Sequence, residues 1–130
     1  MHVLRRFRAA LRPGGIVLDL QVIPPHPRVE ADGRVVCEID GSWLLVRADA
    51  ARAGVDLLIA ERLLVEEAVD DHDVFKHFET GAALVEDFAP KKRTIPAEAV
   101  PVLRALDREC VVRERCRLRR LRQSSGSPSA

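Results

Sequence analysis

The spacing of apolar and polar residues changes along the chain and predicts both helices and strands. Residues 2–12 place apolar side chains at helical spacing between arginines, which predicts an amphipathic helix. Residues 16–23 form a short, β-branched and nearly continuous apolar run, as expected of a strand that is buried on both faces. Pro24 and Pro25 end this strand, because proline cannot donate to a ladder.

The next segment predicts a hairpin and a helix. Residues 34–39 and 43–47 are apolar runs on either side of Asp40-Gly41-Ser42, a turn sequence of the kind that joins antiparallel strands. From Asp49 or Ala50 to about Arg62, apolar residues return to helical spacing. We therefore expect an inserted β-hairpin followed by a helix.

The second half predicts two long strands separated by short helices. Residues 64–78 alternate imperfectly and are interpreted as a strand, and residues 82–88 as a short helix. A further helix begins near Pro96, and residues 111–121 form a final strand. Residues 123–130 are rich in serine and predict a disordered tail.

The sequence Leu11-Arg12-Pro13-Gly14-Gly15 and the strand after it resemble one landmark of the class I S-adenosylmethionine-dependent methyltransferases. In that family a helix ends in such a turn and leads into the fifth strand of a Rossmann-like sheet. Residues 73–86 are similar to the end of the family's sixth strand and the short helix that follows. The resemblance implies that residues 1–122 form an α/β C-terminal half-domain. This partial Rossmann-like methyltransferase sheet would contain the fifth to seventh strands, flanking helices and an inserted β-hairpin, with the last strand antiparallel between the other two.

The resemblance does not extend to the cofactor site. That site needs a Gly-rich loop after a strand and an acid that binds the ribose, whereas Gly14-Gly15 precedes a strand. No residue is therefore assigned to binding S-adenosylmethionine, the cofactor of the complete family fold, and no catalytic residue is identified. The expectation is a truncated or split methyltransferase that is inactive alone, which leaves enzymatic activity of the chain open.

Charge gives two readings of the final strand. The net charge is only +1, but residues 113–122 are rich in arginine. These arginines either pair with the acids of residues 66–73 or track the phosphates of a nucleic acid, and we favour the first because no aromatic residues are interleaved for stacking. Asp71, Asp73 and His77 share one strand face but are spread too far for one ion, so no metal site is predicted.

Other side chains suggest substrate contacts or a cellular location. Trp43 either lines a substrate pocket or anchors the hairpin, and Asp19 is an unusual charge within an apolar strand, so both are substrate-side candidates. Cys37, Cys110 and Cys116 fit buried or half-buried thiols in a reducing compartment. Because no apolar run approaches about 20 residues, we expect no membrane span and a cytoplasmic location.

The strand Ile16–Ile23 also suggests how the chain finds partners. In the half-domain it lacks the neighbouring strand that the complete fold supplies, and it carries neither lysine nor proline to protect its edge. We expect this edge to form a homo-oligomer or to bind the missing N-terminal half. The alternative function is thus a non-catalytic dimerisation or interaction module, with nucleic-acid binding as a more distant alternative.

Overall fold

A computed structural model describes residues 14–91 and 93–124. The predicted helix 2–12, together with Leu11, Arg12 and Pro13 of the Pro-Gly-Gly turn, lies outside the described residues. The strands are β1 (Ile16–Val22), β2 (Arg28–Ala31), β3 (Arg34–Glu38), β4 (Leu64–Phe78) and β5 (Cys110–Gln123). The helices are α1 (Ser42–Ala60), α2 (Gly81–Phe88) and α3 (Val100–Arg104), the last preceded by a 3₁₀ turn at Ala97–Ala99.

Strand β5 forms the centre of a five-stranded sheet. Strand β4 pairs with it along its whole length on one side. On the other side, β1 pairs with the C-terminal half of β5 and β2 with its N-terminal half, and β3 lies beyond β2. The β4–β5 pairing confirms the predicted contact between the two long strands.

The predicted fold class is wrong. Every pair of neighbouring strands among the described residues is antiparallel, so the sheet is not a partial Rossmann-like parallel sheet. Strand β5 does lie between β1 and β4, as the resemblance implied. However, β2 and β3 join the same sheet through β5, and no described strand runs parallel beside β1.

The predicted hairpin of residues 34–47 is also wrong, because a different Asp-Gly pair makes the turn. Asp32 and Gly33 both adopt positive φ angles, of 53° and 73°. That conformation suits a tight two-residue hairpin, and it joins β2 to β3. The hairpin strands are therefore residues 28–31 and 34–38, and β2 is an element that the sequence pattern had not revealed.

Helix α1 starts at Ser42, within the segment predicted as the second hairpin strand. The Asp40 carboxylate accepts hydrogen bonds from the N–H of Ser42 at 2.9 Å and from its hydroxyl at 2.6 Å. The bond from the Ser42 hydroxyl is the main reason why the pKa of Asp40 lies below its usual range. An acceptor placed just before a helix satisfies amides that have no partner inside it. Asp40 therefore favours a helix start where apolar periodicity alone had suggested a strand.

The second half of the chain follows its predicted elements closely. Strand β4 has the predicted bounds, and α2 begins at Gly81, where the Thr80 hydroxyl accepts from the Ala83 amide at 3.1 Å. Strand β5 ends at Gln123, the first residue of the predicted tail. The Ser124 amide then donates to Leu63, and residues 125–130 lie outside the described part of the chain.

The sheet supports two hydrophobic cores, one on each face. Cys110 and Val112 pack with Val29, Phe78, Leu84 and Leu103 beneath α2 and α3. Leu121 packs with Val17, Leu64, Val55 and Leu58 beneath α1. Successive side chains of a strand point to opposite faces, and Leu121 lies an odd number of residues from Val112. The α1 core therefore lies on the opposite face from the α2–α3 core.

Replacing Leu121 with alanine should destabilise the fold strongly. Its side chain is fully buried, and removing a buried leucine side chain costs about 2–5 kcal/mol. Leu57→Ala on the exposed surface of α1 is the matched control, with an expected cost under about 1 kcal/mol. Urea denaturation measures both free energies of unfolding. Equal losses would contradict a core centred on Leu121.

Candidate interaction surface

The outer side of β1 presents backbone groups that β5 does not use. The Ile23 amide donates to the Arg115 carbonyl at 2.9 Å, and the Gln123 amide donates to the Gly15 carbonyl at 2.8 Å. Along an antiparallel strand, the backbone N–H and C=O groups of successive residues point to alternate sides of the strand. The odd-numbered residues of β1 therefore direct these groups towards β5, and the even-numbered residues direct them away from it. Within residues 14–91 and 93–124, no strand pairs with that outer side. Its outward-facing residues are Ile16, Leu18, Leu20 and Val22.

The side chains of the same residues are apolar and exposed. Leu18 is 65% exposed, Leu20 56% and Ile16 39%, whereas Val17 is buried in the α1 core. We call the outward backbone groups and exposed side chains of Ile16, Leu18 and Leu20 the β1 edge. It carries no charge, proline or bulge, which are the usual features that stop a strand edge from pairing with another chain.

Helix α1 closes one end of the strand. The Arg52 guanidinium donates to the outward-facing Val22 carbonyl at 2.9 Å, and Asp49 accepts from the same guanidinium at 2.8 Å. This contact could not be predicted from the sequence, because no local pattern links residues 30 positions apart. The open part of the strand is thus limited to the β1 edge.

Strand β4 has a longer outer side that is better protected. Its middle carries Asp70, Asp71 and Asp73, and its register shifts between Glu66 and Ala68. Charges and bulges both discourage pairing between strand edges. The β1 edge is therefore the stronger candidate for contact with another chain.

The arginines of β5 are engaged by acids, as the first of the two sequence readings predicted. Asp73 accepts from Arg113 at 2.7 Å and from Arg115 at 3.1 Å, and Asp71 accepts two bonds from Arg117. These bonds hold the pKa values of Asp71 and Asp73 below their usual range.

The same pairing continues towards the C-terminal end of β5. Glu67 accepts from Arg120 and Arg122, and the buried Arg119 donates to Glu66 and Asp56. A nucleic acid would have to displace these carboxylates before its phosphates could bind.

The substrate-side candidates Trp43 and Asp19 lie on different elements. Trp43 is in the first turn of α1, with the Arg47 guanidinium 3.7 Å from its ring centroid, so it does not anchor a hairpin. Asp19 accepts a hydrogen bond from the side-chain amide of Gln21 at 2.9 Å, and its second carboxylate oxygen is buried with no hydrogen-bond partner in the described chain. A substrate role for either residue stays a prediction.

Two of the described histidines each lie beside a single carboxylate. His72 lies 3.0 Å from Asp70, and His77 lies 3.2 Å from Glu109 on the exposed surface. Over the two described ranges, no three His, Cys, Asp or Glu residues are grouped to hold a metal ion. Two surface grooves, by Asp32 and by Phe88, have volumes of about 270 and about 220 Å³, somewhat below the usual range for small-molecule sites.

The cysteines match the predicted buried or half-buried thiols. Cys110 and Cys116 are buried and Cys37 is half-buried, and burial raises the pKa of all three thiols. A thiol with a raised pKa forms less of the nucleophilic thiolate. The geometry therefore gives these cysteines a packing role.

None of the described helices is long and apolar enough to cross a membrane. Comparisons with protein-family models, curated proteins and solved structures gave no match. The resemblance to methyltransferases, the expected lack of cofactor binding and the cytoplasmic location therefore stay predictions.

Removing the Asp73 carboxylate should lower stability most clearly at neutral pH. Asp73→Asn loses the charge that pairs with Arg113 and Arg115, whereas Asp70→Asn, the control, affects only the contact with His72. The folded-state pKa of Asp73 is depressed, so its contribution is present above the unfolded-state pKa and lost as pH falls through the folded-state value.

Urea denaturation at pH 7 and at progressively lower pH tests this expectation. The difference between Asp73→Asn and the unmodified chain should shrink on acidification, because the protonated carboxyl then resembles the neutral amide. A difference that stays constant down to pH values below the folded-state pKa would contradict the assigned ion pairs.

Proposed function

We propose that this chain is a non-catalytic interaction module that self-associates through the β1 edge. The observation that carries the proposal is the combination, on the same three residues, of outward-facing backbone groups and exposed apolar side chains. Each feature alone is common on protein surfaces. Together they provide what an added strand needs, namely main-chain hydrogen bonds and apolar contacts for alternate side chains.

The surroundings of the β1 edge support strand addition. Its neighbour β5 is held on the far side by all of β4, so the strand that receives the partner belongs to a well-paired sheet. Val17 lies between Ile16 and Leu18 in the sequence, and its buried side chain packs β1 against α1. The edge is thus part of a rigid element, which lowers the entropic cost of association.

A lysine at Leu18 should separate the associated chains. Leu18 is mostly exposed within one chain, so the substitution leaves the cores intact. In an assembly it would remove buried apolar area from both copies, a loss of roughly 3 kcal/mol, or about 100-fold in the dissociation constant. Sedimentation velocity across the micromolar range should show dimers for the unmodified chain and monomers for Leu18→Lys.

Val35→Lys is the matched control, because Val35 is an apolar residue of β3 with a similar exposure of 58%. This variant should remain dimeric. The proposal is wrong if the unmodified chain is monomeric throughout the concentration range, or if both lysine variants lose association equally.

A further inference from the structure

We infer that β1 pairs antiparallel with β1 of a second copy, in the register that places Leu18 opposite the partner's Leu18. This inference rests on the proposed self-association and specifies its geometry. A two-fold axis normal to the sheet makes the two strands antiparallel and presents the same patch from each copy. The result is one continuous sheet in which β1 of each chain becomes an interior strand.

A strand is the occupant that the β1 edge requires. The outward N–H and C=O groups of Ile16, Leu18 and Leu20 can form hydrogen bonds with the backbone of another strand. A helix cannot supply such partners, because its backbone groups are already used in its own hydrogen bonds. The segment immediately before β1, residues 2–12, has a helical pattern, so the sequence does not offer a strand there. A second β1 supplies the same alternation of donors and acceptors.

Alternation restricts the register to a few choices. Outward-facing residues must oppose outward-facing residues, so even-numbered positions pair with even-numbered positions. Centring the axis on Leu18 aligns each Ile16 with the partner's Leu20 and gives three hydrogen-bonded pairs. All the side chains of these pairs are apolar and project from the same face of the sheet.

The two adjacent registers, centred on Asp19 and on Val17, are less favourable. Centring on Asp19 places two carboxylates directly opposite each other and requires the Val22 carbonyl, which Arg52 already occupies. Centring on Val17 aligns Leu20 with the partner's Gly14, which lies outside β1 with a positive φ of 79°. Of these three registers, only the one centred on Leu18 pairs all three residues of the β1 edge with residues of the partner's β1 edge, and it avoids the charge clash.

The Leu18 register also fits the end that α1 closes. It brings the partner's Gly14 and Gly15 opposite Val22 and Gln21. Glycines carry no side chain, so the partner chain passes the Arg52 guanidinium without a side-chain collision. The arrangement gives the two glycines a role that does not depend on a methyltransferase turn.

Disulfide cross-linking tests the register in a Cys37→Ser background, in which the two remaining native thiols are buried. Leu18→Cys should give a covalent dimer on mild oxidation, because hydrogen-bonded antiparallel pairs hold their Cα atoms about 5.5 Å apart, within disulfide range. Leu20→Cys is the matched control. The two Leu20 positions would lie roughly 14 Å apart and should not cross-link, whereas the double variant Ile16→Cys/Leu20→Cys should.

The outcomes separate this inference from the proposed function. A dimer by sedimentation that cross-links through Leu20→Cys alone, or fails to cross-link through Leu18→Cys, overturns the register and leaves self-association standing. A monomer overturns both. In that case a slow reaction of the Leu18→Cys thiol with a maleimide would show that the edge is covered within the single chain.

Discussion

The pairing of β5 on both of its sides determines the rest of the architecture. The strand is long enough for β4 to follow it completely on one side, while β1 and β2 share the other side. Because neighbouring strands occupy both sides of β5, its side chains point towards the two faces of the sheet. Cys110 and Val112 then support one core and Leu121 the other, so one strand organises helices on opposite faces.

This arrangement also explains how so many charges fit in a central strand. Arginine stems can cover apolar surface while the guanidinium groups reach carboxylates at the side. Because β4 runs alongside, Asp71 and Asp73 lie opposite Arg117 and Arg115 in register. Individual exposed ion pairs stabilise little, so the row neutralises the charge of β5 more than it holds the sheet together.

Much of the fold, including the pairing of β4 with β5, could be predicted from the sequence, but the β2–β3 hairpin and its place beside β5 could not. Strands β4 and β5 are long, and their apolar and charged rows are readable from the sequence. The chain holds two Asp-Gly pairs, at Asp32 and Asp40, and pattern alone selected the wrong one for the hairpin. What distinguishes them is geometric: Asp32 adopts a positive φ, whereas the Asp40 side chain binds Ser42 and starts a helix.

For the β1 edge, too, the residue types could be predicted from the sequence, whereas the contacts with distant residues could not. The unprotected character of residues 16–23 was visible in the sequence, because it depends on which residue types are absent. The reason first given, a missing parallel neighbour in a Rossmann-like sheet, was wrong. Which part of the strand is open depends on Arg52, a residue of α1 that reaches the Val22 carbonyl.

The location of the open edge follows from the unequal covering of the two halves of the sheet by helices and strands. The α2–α3 layer covers the half of the sheet where β2 and β3 lie, and β3 shields the outer side of β2. At the other half, α1 covers the opposite face, so Leu18 and Leu20 face solvent with no helix above them among the described residues. An antiparallel copy would extend the sheet beside β1 as β3 extends it beside β2. Self-association is therefore the step that would give both halves of the sheet an equivalent set of neighbours.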